Sequence, residues 1–387
     1  MENYDTIILG GGLAGLSLSI QLAQAGRKIL LLEKNKYPFH RVCGEYISME
    51  SWDFLERLGL PLNEMDLPRI TRLKVTSLAG REVNCRLNPG GFGISRYTLD
   101  DKLASIASAS GVDIRDENRA EEVLPETDSW TVETKEARFS ARVVAGCFGK
   151  RSNLDKKLNR SFELKVRSPS ENWVGVKYHL NSSGITSAVL SGLPPENTIE
   201  LHNFDNGYCG ISKVEDSKYC LCYLTKAVNL RRSNGNIQLM EEKILSENSF
   251  LKKYFSDRTN FLFDAPVTIS QITFDNKLPV ENNILMVGDA AGMIAPLCGN
   301  GMSMALHSSA IAFPIINRFL DGTLSRSDME REYTLAWRDN FKGRLQRGRF
   351  LQPLLVKSRL TNFTIPLLRT FPFFMNPLIK STHGKPF

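Results

Sequence analysis

The chain is poor in the features that mark the simplest alternatives. Seven cysteines, an odd number among 387 residues, are scattered at Cys43, Cys85, Cys147, Cys209, Cys220, Cys222 and Cys298. No CxxC pair occurs, which excludes a zinc ribbon or a disulfide scaffold and fits reduced thiols in a cytoplasmic protein. The start, Met1-Glu2-Asn3-Tyr4-Asp5, carries two acids and no basic segment, which argues against a signal peptide. There is no low-complexity tract and no internal repeat. Acids are scarce only at the end: from Arg338 to Phe387 there are ten Lys/Arg and one acid, Asp339, a balance of +9. With a total of +7 the rest of the chain sits near −2, so the basicity is local. A uniformly basic surface would point to nucleic acid; this distribution does not. The stretch from Ala290 to Asn317 lacks Asp, Glu, Lys and Arg and is long enough to span a bilayer. Pro296, Gly299, Asn300, Gly301, His307 and Pro314 interrupt it, so it reads as a buried loop followed by a core helix.

What is present has the pattern of an α/β chain. At this length two intertwined lobes are expected. Tyr4–Leu9 reads as a buried strand, Leu13–Ala25 as a helix stopped by Gly26, and Lys28–Leu32 as a second buried strand. This is one βαβ unit. Residues 51–58 read as a short helix, 69–86 as exposed antiparallel strands, and 99–110 as a helix. Short strands are expected at 112–114, 130–134 and 142–146. From Glu171 to Leu224 strand-like runs alternate, with turns at Asn181-Ser182-Ser183-Gly184 and Asp205-Asn206-Gly207. Residues 283–287 return to a buried strand, and helices fill the chain from Gly301, broken at Pro353, Pro366, Pro372 and Pro377.

Two glycine-rich motifs carry the chemistry. In Gly10-Gly11-Gly12-Leu13-Ala14-Gly15, Gly10 permits the tight turn, Gly12 lets backbone approach a pyrophosphate, and Gly15 lets helix pack on strand. The motif follows a strand, opens a helix, and is followed about twenty residues on by Glu33, placed to accept from ribose hydroxyls. Phosphates would sit at the helix N-terminus, where unpaired N–H groups and the dipole favour anions. The second motif is Gly288-Asp289-Ala290-Ala291-Gly292, followed by Pro296 and Gly299-Asn300-Gly301. It places an Asp at the carboxyl end of a buried strand, where open α/β sheets bind ligands. A second glycine turn then opens another helix.

The pairing of these motifs resembles the FAD-binding superfamily that includes para-hydroxybenzoate hydroxylase, flavin-dependent halogenases and geranylgeranyl reductases. The resemblance covers roughly residues 1–320 and implies FAD, with Asp289 on the ribityl chain and the second helix N-terminus beside the negative edge of reduced flavin. Pro38-Phe39-His40-Arg41-Val42-Cys43-Gly44-Glu45 looks most like the geranylgeranyl reductase branch, in which such a segment lies over the flavin. Arg96, in Arg96-Tyr97-Thr98-Leu99-Asp100, is similar to a family arginine near the cofactor. Three departures stand out. The Asp-Gly pair common in relatives that use nicotinamide is Phe148-Gly149 here. The four tryptophans contain no Trp-x-Trp pair, which disfavours halogenation. Gly207-Tyr208-Cys209-Gly210-Ile211-Ser212 replaces the aromatic segment of archaeal geranylgeranyl reductases. Because no second GxGxxG follows a strand, NAD(P)H would serve as a transient electron donor, or a partner would supply electrons.

The resulting expectation is a Rossmann-like, discontinuous FAD/NAD(P)-binding domain with an interleaved antiparallel β-sheet substrate domain and a C-terminal helical region. The FAD-binding parts are residues 1–70, 96–160 and 271–325. Residues 71–95 and 161–270 form the substrate lobe, and 326–387 the basic helical region. The cofactor-binding set is Gly10, Gly12, Leu13, Ala14, Gly15, Glu33, Lys34, Arg41, Cys43, Gly44, Arg96, Gly288, Asp289, Gly299, Asn300, Gly301 and Met302. Cys43 and Glu45 are the candidate catalytic residues, weighed against packing of a small hydrophobe and a solvated loop carboxylate. Tyr46 and Tyr208 are candidate acids for which packing competes, His307 reads as a core histidine, and Cys220 with Cys222 share one strand face without implying a metal. The expected chemistry is hydride transfer through flavin N5 on a hydrophobic isoprenoid or polyketide-like molecule. An aromatic monooxygenase is the alternative, and a non-catalytic carrier of prenylated proteins a third reading from another class. The basic C-terminal region, rich in Phe and Leu, either touches an anionic membrane or covers the substrate lobe. The substrate, electron donor and oligomeric state are not readable from the sequence.

Overall fold

A computed structural model describes residues 1–164, 172–182, 193–296 and 299–387. Two mixed sheets organise these residues. The first contains β1 (Glu2–Leu9), β2 (Ile29–Leu32), β6 (Asp113–Arg115), β7 (Glu122–Pro125), β8 (Trp130–Glu133), β9 (Arg138–Gly146), β15 (Val280–Glu281) and β16 (Ile284–Met286). The second contains β3 (Tyr46–Ser48), β4 (Arg69–Thr76), β5 (Glu82–Gly93), β10 (Trp173–Asn181), β11 (Thr198–Phe204), β12 (Gly207–Lys213), β13 (Lys218–Lys226) and β14 (Val267–Ile272).

In the first sheet β16, β9, β1, β2 and β6 run parallel, and β15 and the β7–β8 hairpin add antiparallel edges. Parallel strands covered on both faces should be apolar throughout, and Ile29–Leu32 is buried at every position. Helix Leu13–Gln24 is buried nearly all round because helix Gly301–Leu320 packs on it, with Ser17 Oγ and Ser309 Oγ 2.6 Å apart. The charge-free stretch therefore does form a core helix, and no helix among the described residues is long and apolar enough to cross a membrane. The domain is discontinuous: strands from residues 2–32, 113–146 and 280–286 assemble one sheet.

The second sheet has the order β14-β10-β13-β12-β11-β4-β5-β3 and is antiparallel except at β11–β4. One face of β10 and β13 packs on the helices between Ala227 and Ser256, through Val176, Tyr178, Leu221, Tyr223, Met240 and Leu251. The other face turns toward the first domain. Tyr46–Ser48 lies within the segment 1–70 but pairs with β5, so it joins this second sheet. β7 lies between the strands expected at 112–114 and 130–134 and is not expected from the sequence, because its four residues lack a clean apolar alternation. Of the expected turn at 181–184, Ser183 and Gly184 lie outside the described residues, as does Cys298.

The C-terminal helices correct the expectation that each proline breaks them. Arg326–Val356 contains Pro353, and Ser358–Thr370 contains Pro366. Proline removes the bond to the carbonyl four residues back. At Pro366 that carbonyl belongs to Asn362, and Arg81 Nη1 donates to it at 3.1 Å, so the acceptor is not orphaned. Pro353 falls in the last turn, where the helix ends three residues later. Pro377 lies near the start of helix Met375–Lys380, where a missing N–H costs little.

Candidate active site

Between the two sheets lies a cavity of about 540 Å³. The glycine turn after β1 forms its floor. Gly10 has φ +108°, and a Cβ there would lie 2.7 Å from Cys147 O; a Cβ on Gly15 would lie 2.0 Å from Gly10 O. Both positions therefore require glycine for the turn and for helix packing. Gly12 differs: its Cβ would meet only Arg96 Nη2, at 3.6 Å, so the space above it belongs to the cavity. Helix Leu13–Gln24 has no side-chain cap, which leaves its first N–H groups facing this space.

An ion-pair chain stiffens the wall beside that turn. Glu33 is buried; its Oε2 accepts from Gly11 N at 3.0 Å and Arg41 Nη2 at 2.9 Å, and its Oε1 accepts from Asn35 N and Nδ2. Arg41 Nε continues to Asp100 at 2.9 Å, and Asp100 also accepts two bonds from Arg96 at 2.7 Å. Burial alone would lower the Arg96 pKa, but Asp100 outweighs it and holds the guanidinium charged. Four donors fill the Glu33 carboxylate, so a ribose hydroxyl must displace one of them. Lys34 is exposed at the rim and Arg41 half-buried.

On the opposite wall, Gly288 has φ +70° and its N–H donates to Ser308 Oγ at 3.0 Å. Asp289 follows, lining the cavity with a carboxylate that has no protein hydrogen-bond partner among the described residues. Burial pushes this carboxyl up from the usual range, while Lys150, Lys277 and Arg96 pull the other way. Gly299 has φ +67°, Gly301 opens helix Gly301–Leu320, and neither Asn300 nor another side chain caps that helix. Asn300 is instead buried, donating to Thr382 O at 2.7 Å, whereas Gly299, Gly301 and Met302 line the cavity. Two uncapped helix N-termini, an unengaged carboxylate and the space over Gly12 fit a dinucleotide that carries a flavin. Leu13, Ala14, Cys43 and Gly44 also line this space.

The third wall comes from β10. Trp173, Gly175, Lys177 and His179 alternate onto the face turned toward the first domain, opposite Val174, Val176 and Tyr178. Glu45 lies beneath them with no exposed surface. One carboxylate oxygen accepts from Lys177 Nζ at 2.5 Å and Arg96 N at 2.8 Å, and the other pairs with His179 Nε2 at 2.5 Å. Burial would raise this carboxyl, but Lys177 and His179 together bring it down to about 2. Glu45 is thus a buried ion-pair acid, not a solvated loop carboxylate, and it sits at φ +56°. His40 stacks on Tyr97 at 4.7 Å and lies 5.2 Å from His179; burial and the charge of Lys177 bring its pKa down to about 4, so it is neutral at pH 7.

Cys43 is half-buried on the cavity wall, and its carbonyl accepts from Cys220 Sγ at 3.3 Å. Glu45, His179 and Cys220 offer ligand atoms within 4.8 Å of one another. However, both Glu45 oxygens are engaged, one with a cationic lysine, and burial pushes the Cys220 thiol well up. Burial likewise pushes Cys222 up to about 12. These donors suit an ion-pair cluster beside packed thiols better than a thiolate metal site. Tyr46 is buried, with its hydroxyl unpaired among the described residues, and Tyr208 is buried against the cavity. His307 lies away from the cavity, its ring 4.2 Å from Phe387 and nearly parallel to it.

The sequence reading missed Lys150, Lys177, His179 and Lys277. Lys277 Nζ, almost fully buried, donates to Lys150 O at 3.1 Å and Asp289 O at 3.3 Å, and burial lowers its pKa. The available signal was a lysine and a histidine two residues apart in an otherwise apolar strand. Phe148, at the position of the nicotinamide family's Asp, lines the cavity.

Residues 3–226 match the family model described as FAD binding domain. The chain belongs to this family. It is an FAD-dependent oxidoreductase, which removes the non-catalytic carrier reading. Conditioned medium factor receptor 1 of Dictyostelium discoideum is 25% identical over 365 residues, covering 87% of this chain and 68% of that protein. Protein CbrA of Escherichia coli strain K12 is 23% identical over 379 residues, covering 95% and 96%. Three solved structures share the fold. The flavin-dependent brominase Bmp2 superposes with TM-score 0.75 at 18% identity, covering 98% of this chain and 94% of that one. A geranylgeranyl bacteriochlorophyll reductase-like protein of Thermoplasma acidophilum gives 0.71 at 17%, covering 95% and 92%. PqsL of Pseudomonas aeruginosa, described as a probable FAD-dependent monooxygenase, gives 0.69 at 14%, covering 93% and 98%.

Proposed function

We propose that this FAD-dependent enzyme acts on a carbon–carbon bond of a hydrophobic, isoprenoid or polyketide-like molecule. The observation that carries the proposal is the apolar end of the cavity, where Leu201, Tyr208, Leu224, Ile269, Ile272 and Met293 form the wall. Such a surface gains from burying a chain of methyl and methylene groups, about 25 cal/mol per Å² removed from water.

FAD would be held by the turn at Gly10–Gly15, by Glu33 and Arg41, and by Asp289 with the backbone at Gly299–Met302. When bound, it supplies hydride chemistry at N5. The residues of this chain do the rest. The first helix N-terminus neutralises phosphate, and the second favours the anionic edge of a reduced ring. The Glu45–Lys177–His179 cluster fixes the segment 40–45 against β10 and excludes water from the flavin face. Lys177, whose pKa Glu45 raises against the effect of burial, stays charged and compensates the Glu45 carboxylate at the cavity wall. Cys43 and Glu45 are positioning candidates in this scheme, and Cys43 alone presents its side chain where substrate could touch it. NAD(P)H visits transiently, or a protein donor delivers electrons, since Phe148 replaces the expected carboxylate.

Aromatic hydroxylation is the second reading, favoured by His40. This neutral imidazole at the cavity wall, its Nδ1 unpaired among the described residues, can accept a hydrogen bond from a phenolic hydroxyl and orient the ring. Mass analysis of the product made by FAD-loaded enzyme with polyprenyl and phenolic substrates separates the two. A change of two hydrogens with anaerobic turnover supports the first reading, and a gain of one oxygen that requires air replaces it with the second.

A further inference from the structure

The surface of helix Ser358–Thr370 is unusual for a protein in water. Thr361 and Ile365 are buried, and Ile365 packs on Val83 in the layer over β5. Leu360, Phe363 and Leu367, at spacings of three and four, share a different face, which Phe371 extends; all four are exposed, Phe363 by 71%. Phe373 and Phe374, exposed by 64% and 54%, lie against each other in a tilted pair with ring centroids 4.3 Å apart, and Phe371 lies 6.0 Å from Phe373. Aromatic rings that contact one another while facing solvent form a contiguous apolar patch, which marks an interaction surface.

The charge around the patch identifies the partner. No Asp or Glu follows Asp339, whereas nine Lys/Arg do. Lys357, Arg359, Arg369 and Lys380 are exposed, and among the described residues none has a carboxylate within 4 Å. A protein partner with a folded apolar face would leave these cations unmatched unless it were acidic. A lipid headgroup layer supplies both an apolar interior within reach of Phe rings and anionic charge at the level of the basic side chains. The buried face of the helix that carries the patch packs near the cavity wall: Ile365 lies in one layer with Val75, and Val75 also packs in the layer of Tyr208, Leu224, Ile272 and Leu355.

We propose that the face formed by Leu360, Phe363, Leu367, Phe371, Phe373 and Phe374 docks on the surface of a membrane containing anionic lipid. The inference stands apart from the choice of substrate, because binding to lipid is read without turnover. FAD-loaded protein is mixed with vesicles of phosphatidylcholine, with and without phosphatidylglycerol, and floated on a density gradient. The expected result is flotation with the anionic vesicles, little with the neutral ones, and release by about 0.5 M salt, which shortens the Debye length. The variant F363S/F373S/F374S and, separately, K357E/R359E/R369E should each bind about tenfold or more weakly. FAD retention should be unchanged, since every substituted side chain is exposed. Absence of flotation by the wild type overturns the proposal, as does binding of either triple variant as tight as that of the wild type. A wild-type dimer that F363S/F373S/F374S converts to monomer, without flotation of either, assigns the face to a second copy and overturns it too.

Discussion

Replacing Glu45 by Gln tests the buried cluster that ties the segment before β3 to β10 and to the start of helix Arg96–Ala109. The wild-type carboxyl lies near pKa 2 instead of 4.5, because Lys177 and His179 more than offset the effect of burial. At 1.36 kcal/mol per unit, its ionised form contributes about 3 kcal/mol to folding at neutral pH. The folded value is the depressed one, so the contribution is complete above the unfolded value near 4.5. It is lost as the pH falls from there through about 2. Gln keeps the size and one acceptor but leaves Lys177 without its counter-charge in a buried place, a change that typically costs about 3–5 kcal/mol. Urea unfolding of the FAD-loaded E45Q variant at pH 7 should therefore show a loss of about 3 kcal/mol. The loss should shrink toward pH 3, where wild type begins to surrender the same interaction. Adding K177M to E45Q should recover part of it, because the orphaned ammonium is gone. An E45Q protein within about 0.5 kcal/mol of wild type at pH 7 would refute the ion-pair reasoning.

Asp289→Ala should leave folding intact and weaken FAD binding roughly 10- to 100-fold, as expected for one charge-assisted hydrogen bond, measured by flavin fluorescence on release. Gly12→Ala and Gly15→Ala should separate, since Gly12 faces the cavity and Gly15 faces backbone. The former should lower cofactor retention with a near-normal melting temperature before loading, and the latter should lower the melting temperature itself. Arg81→Ala removes the donor that satisfies Asn362 O beneath Pro366, and should cost about 1 kcal/mol by thermal unfolding; the additional change Pro366→Ala should recover part of that cost. His40, lowered to about 4, should give no titration between pH 5 and 8 in its imidazole NMR signals, whereas a midpoint near 6.5 would contradict its buried, cation-flanked setting.

How much of this was legible from the sequence follows from the range of the interactions. The turn at Gly10–Gly15, its strand and its helix are local, so residue type and spacing reveal them. The same holds for Gly288–Asp289 after β16. Within the segment 38–45 the sequence marks a place but not a role: Glu45 finds its partners 132 and 134 residues later, on a strand whose apolar run hides a lysine and a histidine. Lys277 is likewise read only when β15 and the loop after β9 are seen together. Proline breaks a helix less than its residue type suggests where the helix is ending anyway, as at 353, or where, as at 366, the freed carbonyl finds another donor. In one case Arg81, far away in sequence, provides it. The surface aromatics at 363–374 were visible as composition, but only the fold distinguishes exposed rings from a buried cover.

In the proposed function a flavin seated between the two glycine turns reduces an acceptor that lies on the apolar wall beyond it. The most direct measurement is to reduce FAD-loaded enzyme stoichiometrically without air and mix it with a polyprenyl compound, following flavin absorbance and product mass. Return of the oxidised spectrum together with a product that has gained two hydrogens is the predicted result. A flavin that stays reduced with every hydrophobic acceptor, and reoxidises only when air is admitted, would contradict the account.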